Sequence, residues 1–201
     1  MARQNVRGIV GRILVAAILT WAASAAAADD PEPRIGDLRI SSEGQQLLVS
    51  FAILQLIDEK TELRIQSGLP TDVVFVIQLI RPRKGWFDKT VETVRFTASV
   101  VYNAVTREFT INHKIDDQLI QSLIYQDVRD MRKAMTELER VPVFSLEGHA
   151  GERLRVRVRA ELGTRTILFF IPTTKTTDWQ ESERFEVGPD GQLESVDGKD
   201  E

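Results

Sequence analysis

Cysteine is absent from the 201-residue chain. Its absence excludes disulfide bonds, thiolate metal ligands, a cysteine nucleophile and lipid attachment through cysteine. The chain has only two histidines, His113 and His149, and neither has a second histidine at the spacing of a metal site. We therefore expect no metal and no other cofactor.

Positive charge is not in excess either, because 26 Lys and Arg residues stand against 30 Asp and Glu residues, a net charge of -4. A nucleic-acid partner is not expected from this balance. The sequence also lacks the phosphate-binding loop, the dinucleotide fingerprint, the serine-hydrolase elbow and the paired-histidine motif of zinc proteases. These absences favour a protein that binds over one that catalyses.

The most apolar stretch lies at the N-terminus. Three arginines precede an apolar run over residues 13–21, and small residues follow as far as Ala28. This order is typical of a secretory signal peptide over residues 1–28. A retained membrane anchor is the alternative, although the run is shorter than the roughly 20 residues that span a bilayer. We expect an exported protein, in the periplasm of a Gram-negative bacterium.

The remaining chain predicts a single β-rich domain over residues 29–187, followed by a disordered acidic tail over residues 188–201. Two alternating sets between Val73 and Ile80 are apolar, Val73/Phe75/Ile77/Leu79 and Val74/Val76/Ile80, which indicates a central strand covered on two faces. The predicted fold class is α+β with mostly antiparallel strands, a sandwich or a strongly curved sheet with one short and one long helix packed against it. Strands are predicted at residues 35–40, 46–54, 73–80, 94–102, 109–112, 143–146, 154–162, 165–171 and 185–187.

Two helices are predicted from start and stop signals. Asp58 can cap a short helix that ends before Gly68. Asp116 can cap a longer helix that ends before Pro142. Its apolar residues recur every three or four positions and form one stripe. They are Ile120, Ile124, Val128, Met131, Met135 and Leu138.

Four arginines alternate with apolar residues in the predicted strand at residues 154–162 and just before it. A strand places Arg153, Arg155, Arg157 and Arg159 on one face at steps of about 7 Å. We call this set the arginine ladder. It predicts a binding face for an anionic partner, such as lipid head groups or an acidic protein patch. The alternative is a solvated face that Glu147, Glu161 or the acidic end of the chain neutralises.

The loop after the central strand places two aromatic residues beside four cations. Trp and Arg are enriched at interface hot spots and at membrane surfaces, so the loop is a second candidate binding surface. In the alternative interpretation the two rings fold back and close the end of the sheet. The loop residues concerned are Arg81, Arg83, Lys84, Trp86, Phe87 and Lys89.

Two further hypotheses remain open. His113 lies close in sequence to Asp116 and Asp117, which could orient it as a catalytic base, although a solvated histidine beside a helix cap is the simpler interpretation. A cavity between the sheet and the long helix, lined by Phe75, Phe96 and Met131, would suit a lipid or another amphiphile.

Several of these segments, taken in order, resemble the family of exported bacterial proteins known as domain of unknown function 4390. The resemblance rests on Ser67–Pro70, the strand over residues 73–80 that leads to Trp86, the hairpin over residues 102–109 and the strand over residues 154–162. It extends from about Ile35 to Trp179. It implies an exported, membrane-adjacent protein, and the sensor kinase encoded beside some members suggests a sensing protein of the envelope as partner. The resemblance assigns no catalytic residue.

We therefore expect a non-enzymatic domain of the cell envelope that binds another envelope protein, such as a membrane sensor kinase. A lipid- or amphiphile-binding periplasmic protein is the alternative, and an enzyme that uses His113 is the third. The arginine ladder and the Trp86 loop are the candidate surfaces, and an anionic lipid surface is a further candidate partner.

Overall fold

The computed structural model describes residues 32–164 and 175–196. The predicted signal peptide, the predicted strand at residues 165–171 and the last five residues lie outside the described residues. Within the described ranges, no helix is both long and apolar enough to cross a membrane.

Twelve strands and two helices form the described part of the chain. The strands are β1 (Arg34–Glu43), β2 (Gln46–Leu54), β3 (Thr71–Arg81), β4 (Lys89–Asn103), β5 (Glu108–Ile115), β6 (Gln118–Tyr125), β7 (Glu137–Ser145), β8 (Arg153–Thr164), β9 (Lys175–Thr176), β10 (Gln180–Glu181), β11 (Phe185–Val187) and β12 (Leu193–Ser195). The helices are α1 (Glu59–Gln66), which follows β2, and α2 (Val128–Thr136), which follows β6.

The strands form two antiparallel sheets. The smaller sheet has the order β1-β2-β7, and the larger has the order β12-β11-β8-β3-β4-β5-β6, with β9 and β10 also paired to β8. Every strand pair is antiparallel. The predicted class, mostly antiparallel β with two helices, is therefore confirmed.

The core lies between the two sheets. The ring of Phe51 on the small sheet lies 5.4 Å from that of Phe75 on β3, and Phe75 lies 5.8 Å from Phe96 on β4. Each fully buried ring contributes roughly 1.5–3 kcal/mol to stability. On the other face of β3, Val76 and Ile80 are also buried. The prediction that β3 is a central strand is thus confirmed, but its second face is only partly covered, because Asp72, Val74 and Gln78 on that face are half-buried.

Helix α1 begins and ends where the sequence predicts. The Asp58 side chain accepts a hydrogen bond of 2.8 Å from the Thr61 amide and so caps the first turn. Gly68 follows the helix with a φ of 84°, a conformation that glycine adopts without strain. The helix therefore ends before β3 begins.

The predicted long helix from Asp116 is wrong. Asp116 and Asp117 have φ values of 45° and 68° and form the two-residue turn of a β5–β6 hairpin. The first half of the predicted helix is therefore the strand β6. Only Val128–Thr136 is helical, with Asp127 as its cap. Apolar spacing did not distinguish these structures because an edge strand also tolerates apolar residues on its exposed face.

The predicted disordered tail is wrong for residues 188–196. Strand β12 pairs with β11, and the Gly188 amide donates a hydrogen bond of 2.8 Å to the Gln192 carbonyl. Gly191 approaches the backbone of Gly44 so closely that no side chain would fit there. The folded domain thus continues past the predicted boundary at residue 187.

Candidate functional site

The β3–β4 hairpin ends in the exposed loop over residues 82–88, which we call the hairpin tip. Trp86 is 81% exposed and Phe87 is 93% exposed. The alternative in which both rings fold back to close the sheet is therefore wrong. Gly85 has a φ of 76°, which lets the chain turn directly before the two rings.

Positive charge surrounds the two rings. Arg83 and Lys84 belong to the tip, Lys89 is the next residue after it, and all three are exposed. The tip's one acid, Asp88, accepts a hydrogen bond of 3.2 Å from the Arg83 amide and forms an ion pair with Arg155 of β8. Because Asp88 is already paired, the outer surface of the tip is both aromatic and basic.

The base of the hairpin is joined to the turn before β8. Arg81 forms an ion pair with Glu152, and the His149 Nδ1–H group donates a hydrogen bond of 2.8 Å to the same carboxylate. The hydrogen bond from His149 is the largest influence on Glu152 and, with Arg81, lowers the pKa of its carboxyl group despite the opposing effect of burial. Arg81 thus supports the tip and is only half-exposed.

The arginine ladder lies on the outer face of β8, as the alternation predicts. The apolar residues between its members, Leu154, Val156, Val158 and Ala160, are all buried in the core. Three of the four guanidinium groups form ion pairs with nearby carboxylates. The pairs join Arg153 to Glu186 at 3.3 Å, Arg155 to Asp88 and to Glu181 at 2.6 Å, and Arg159 to Glu161 at 2.7 Å.

Trp179 covers the end of the ladder. Its ring lies 4.6 Å from the guanidinium carbon of Arg157 and 4.8 Å from that of Arg159. Arg157 also donates a hydrogen bond of 2.8 Å to the Gln78 side chain. The ion pairs of the ladder agree with the alternative in which acidic residues neutralise this face. Binding of a partner by the ladder stays a prediction. Sequence reasoning missed Trp179, whose only signal is an aromatic residue within a polar segment.

His113 is tied to the helix that follows β6. Its Nε2–H group donates a hydrogen bond of 2.9 Å to the Ala134 carbonyl, and its ring lies 5.2 Å from Phe96. Asp116 instead accepts a hydrogen bond of 3.0 Å from the Arg95 amide. Within the described ranges, no group of three or more His, Cys, Asp or Glu residues could hold a metal ion. These contacts give His113 a role in joining β5 to α2.

The residues proposed to line an amphiphile cavity lie in the core. Phe75 and Met131 are completely buried and Phe96 is 2% exposed. A surface cleft of about 490 Å³ lies elsewhere, between the start of β1 and Trp179. A second cleft of about 370 Å³ is lined by polar residues, among them Asp72 and Lys114. Neither cleft involves the three proposed residues.

Strand β6 exposes apolar side chains that the helix prediction had placed in the core or left unassigned. Leu119 is 61% exposed, Ile120 is 53% exposed and Ile124 is 64% exposed. Their only sequence signal is an uncharged eight-residue stretch next to an Asp-Asp turn. The hairpin tip and β6 are therefore two exposed apolar surfaces of the described residues.

Comparison with protein families matches residues 30–180 to the family described as Domain of unknown function (DUF4390). The chain belongs to this family. The comparison thus confirms the resemblance seen in the sequence. Neither the curated proteins nor the solved structures give a significant match.

The DUF4390 match includes both candidate surfaces. It runs from the start of the described domain to β10 and so includes the hairpin tip, the arginine ladder, β6 and Trp179. Strands β11 and β12 lie beyond the matched residues.

Proposed function

We propose that this DUF4390 protein is an exported, non-enzymatic domain of the cell envelope that binds an anionic membrane surface through the hairpin tip. One observation carries the proposal: Trp86 is 81% and Phe87 93% exposed on a tip where Arg83 and Lys84 are also exposed and the one acid, Asp88, is paired with Arg155. Leaving two large rings in water has a free-energy cost that insertion into a membrane interface removes.

The chemistry of the tip suits anionic lipid head groups. Aromatic rings settle at the depth of the head groups, while Lys and Arg side chains are attracted by roughly 1 kcal/mol each to a negatively charged leaflet. Arg83, Lys84 and Lys89 lie beside the rings, and Asp88 is held by Arg155 at the side of the tip. The two aromatic rings and the three cations can therefore contact the same anionic membrane surface.

The small apolar area favours a membrane over a protein at this site. A stable protein interface buries about 800 Å² on each partner, whereas a membrane contact needs only the end of a protruding loop. Within the described ranges, Trp86 and Phe87 are the only large hydrophobic residues of the tip that are exposed. The arginine ladder is largely neutralised, since three of its four members have acidic partners.

Co-flotation with lipid vesicles tests the proposal directly. We expect the purified protein to float with vesicles that contain phosphatidylglycerol and not with vesicles of phosphatidylcholine alone. The double variant Trp86→Ala/Phe87→Ala should reduce the bound fraction at least about tenfold. The matched control is Val105→Ala, which changes a residue 92% exposed at the β4–β5 turn and should bind as the unchanged protein does.

A charge variant separates the basic contribution from the aromatic one. Lys84→Glu should weaken binding to the anionic vesicles and reduce its dependence on salt, whereas Lys60→Glu on α1 should not. Equal binding to neutral and anionic vesicles would contradict the proposal. A photo-crosslinker at position 87 in intact cells that reacts only with a protein would contradict it as well and would assign the tip to a protein partner.

A further inference from the structure

A surface cleft of about 490 Å³ lies between the start of β1, an edge strand of the small sheet, and the segment that pairs with β8 as β10. One side of the cleft is formed by residues 32–35 and by Gln55, which directly follows the partner of Arg34 in β2. The other side is formed by Asp178, Trp179 and Gln180. Small-ligand sites in proteins have volumes of roughly 300–1,000 Å³, so the cleft is large enough for such a ligand.

Trp179 gives the cleft an aromatic wall. The ring is half-buried and is held in place by Arg157 and Arg159, whose guanidinium carbons lie 4.6 Å and 4.8 Å from its centre. Ile35, which is 7% exposed, and the half-buried Pro33 add apolar surface on the opposite side. The indole N–H group has no hydrogen-bond partner among the described residues. It can therefore donate to a bound molecule.

Four polar side chains of the cleft have no partner of their own. Within residues 32–164 and 175–196, the side chains of Glu32, Arg34, Gln55 and Asp178 form no hydrogen bond and no ion pair. Two are carboxylates, which only accept hydrogen bonds, one is a guanidinium group, which only donates them, and one is an amide, which does both. Acceptors and donors of these three kinds are therefore available to a ligand in one place.

Gln55 is held in a backbone conformation that a glutamine rarely adopts. Its φ is 63°, in the left-handed region, where only glycine is free of strain. The residue is exposed, so its side chain contributes little to the core. Strained positions of this kind are concentrated at binding sites, where the surrounding structure maintains them. The amide at position 55 therefore has a conformational cost that packing does not explain.

The lining fits a neutral sugar better than an ion. An anion would be repelled by Glu32 and Asp178, and a cation would leave the guanidinium and indole donors without an acceptor. A hydroxyl group both donates and accepts, so neighbouring hydroxyl groups of one sugar ring can satisfy the carboxylates, the guanidinium group and the amide together. The C–H groups of the same ring can pack against Trp179.

We propose that this cleft binds a neutral oligosaccharide, with one pyranose ring against Trp179 and its hydroxyl groups bonded to Gln55, Arg34 and Asp178. The elements that form the cleft are not those of the hairpin tip. The inference therefore does not depend on membrane binding, and each can fail without the other.

Four tetrasaccharides test the proposal by isothermal titration calorimetry with the purified protein. Three are neutral, namely cellotetraose, chitotetraose with all its amino groups acetylated, and maltotetraose. The fourth, tetragalacturonate, carries a carboxylate on every ring. We expect at least one neutral probe to bind at least about tenfold more tightly than tetragalacturonate, because the two acids of the cleft repel an anionic sugar.

Gln55→Gly separates binding from folding. It removes the amide but keeps the backbone conformation, which glycine adopts without strain. We expect binding of the neutral probe to weaken about tenfold or more, while the midpoint of urea unfolding does not fall. The matched control is Arg107→Gly in the β4–β5 turn, where φ is 60° and the residue is exposed. That variant should bind as the unchanged protein does.

Hydrogen exchange locates the bound sugar. Saturation with the neutral probe should slow exchange of the amides near Gln55 and Trp179 and leave the hairpin tip unchanged. Three results would each overturn the proposal: no binding of any neutral probe, equal or tighter binding of tetragalacturonate, and unweakened binding by Gln55→Gly. The second would assign the cleft to an anion.

Discussion

Trp179 lies over two successive members of the arginine ladder, with its ring centre 4.6 Å from the guanidinium carbon of Arg157. The same segment pairs with β8 at Gln180 and Glu181. An aromatic ring over a guanidinium group is favourable by about 0.5–1 kcal/mol at partly exposed sites. Trp179 therefore holds a short segment against β8 through side-chain stacking as well as backbone pairing.

Trp179→Ala should lower the free energy of unfolding by about 2 kcal/mol, because it removes both ring contacts and the apolar area that the ring covers. Trp179→Phe should lose roughly half as much. Urea denaturation followed by circular dichroism measures both changes. Trp86→Ala serves as the control, since that ring is exposed and its loss should change stability by less than about 0.5 kcal/mol. Equal destabilisation by the two alanine variants would show that stacking by Trp179 is unimportant.

Asp58 predicts a pH dependence of stability. Burial raises the pKa of its carboxyl group, but hydrogen bonds from Lys175 and Thr61 outweigh this effect and hold the pKa below the usual value of 3.8. The Lys175 Nζ atom lies 2.5 Å from the carboxylate. A group whose pKa is lower in the folded state stabilises the fold above its unfolded pKa, and the stabilisation is lost as the pH falls through the folded pKa.

Asp58→Asn isolates this charge, because asparagine keeps the N-cap hydrogen bond. We expect the unchanged protein to be more stable than the variant by about 1.5 kcal/mol at pH 7. The difference should be constant above about pH 5 and shrink below about pH 4. Urea titrations at several pH values measure it. Lys175→Met should reduce the same pH dependence, and a difference that grows on acidification would be inconsistent with the Asp58–Lys175 pair.

Met131 and Ile124 distinguish the observed structure from a single long amphipathic helix. Met131 is fully buried and Ile124 is 64% exposed, although both belong to the same apolar stripe of the sequence. Met131→Ala should cost about 3 kcal/mol of stability, because it leaves a cavity. Ile124→Ala should cost less than about 0.5 kcal/mol. Thermal and urea unfolding measure both values, and similar losses at the two positions would favour the helix.

Local patterns were sufficient where the chemistry of neighbouring residues decides the structure. The cap at Asp58, the glycine at position 68 and the apolar run of β3, which only Gln78 interrupts, each act within a few residues, so the short helix and the central strand were predicted correctly. The alternation from Arg153 to Arg159 likewise predicted one arginine face, because side chains of a strand point to alternate sides.

The same rules failed where two local structures were close in free energy. An aspartate pair can cap a helix or form a tight hairpin turn, and the apolar residues after it fit either outcome. Residues 118–125 form the strand β6 because they pair with β5. Residues 128–136 form the short helix α2, which buries Met131 in the core. The ordered segment over residues 188–196 depends in the same way on β11 and on contact with Gly44.

The sequence by itself determined the composition of the surfaces, the family and the strand-rich class. The tertiary structure decided which of those surfaces are free, since ion pairs depend on distances between residues far apart in the chain. It paired Arg155 with Asp88 and Glu181, so the ladder is largely neutralised. It left Trp86, Phe87 and the edge of β6 exposed, because among the described residues no other element lies close enough to cover them.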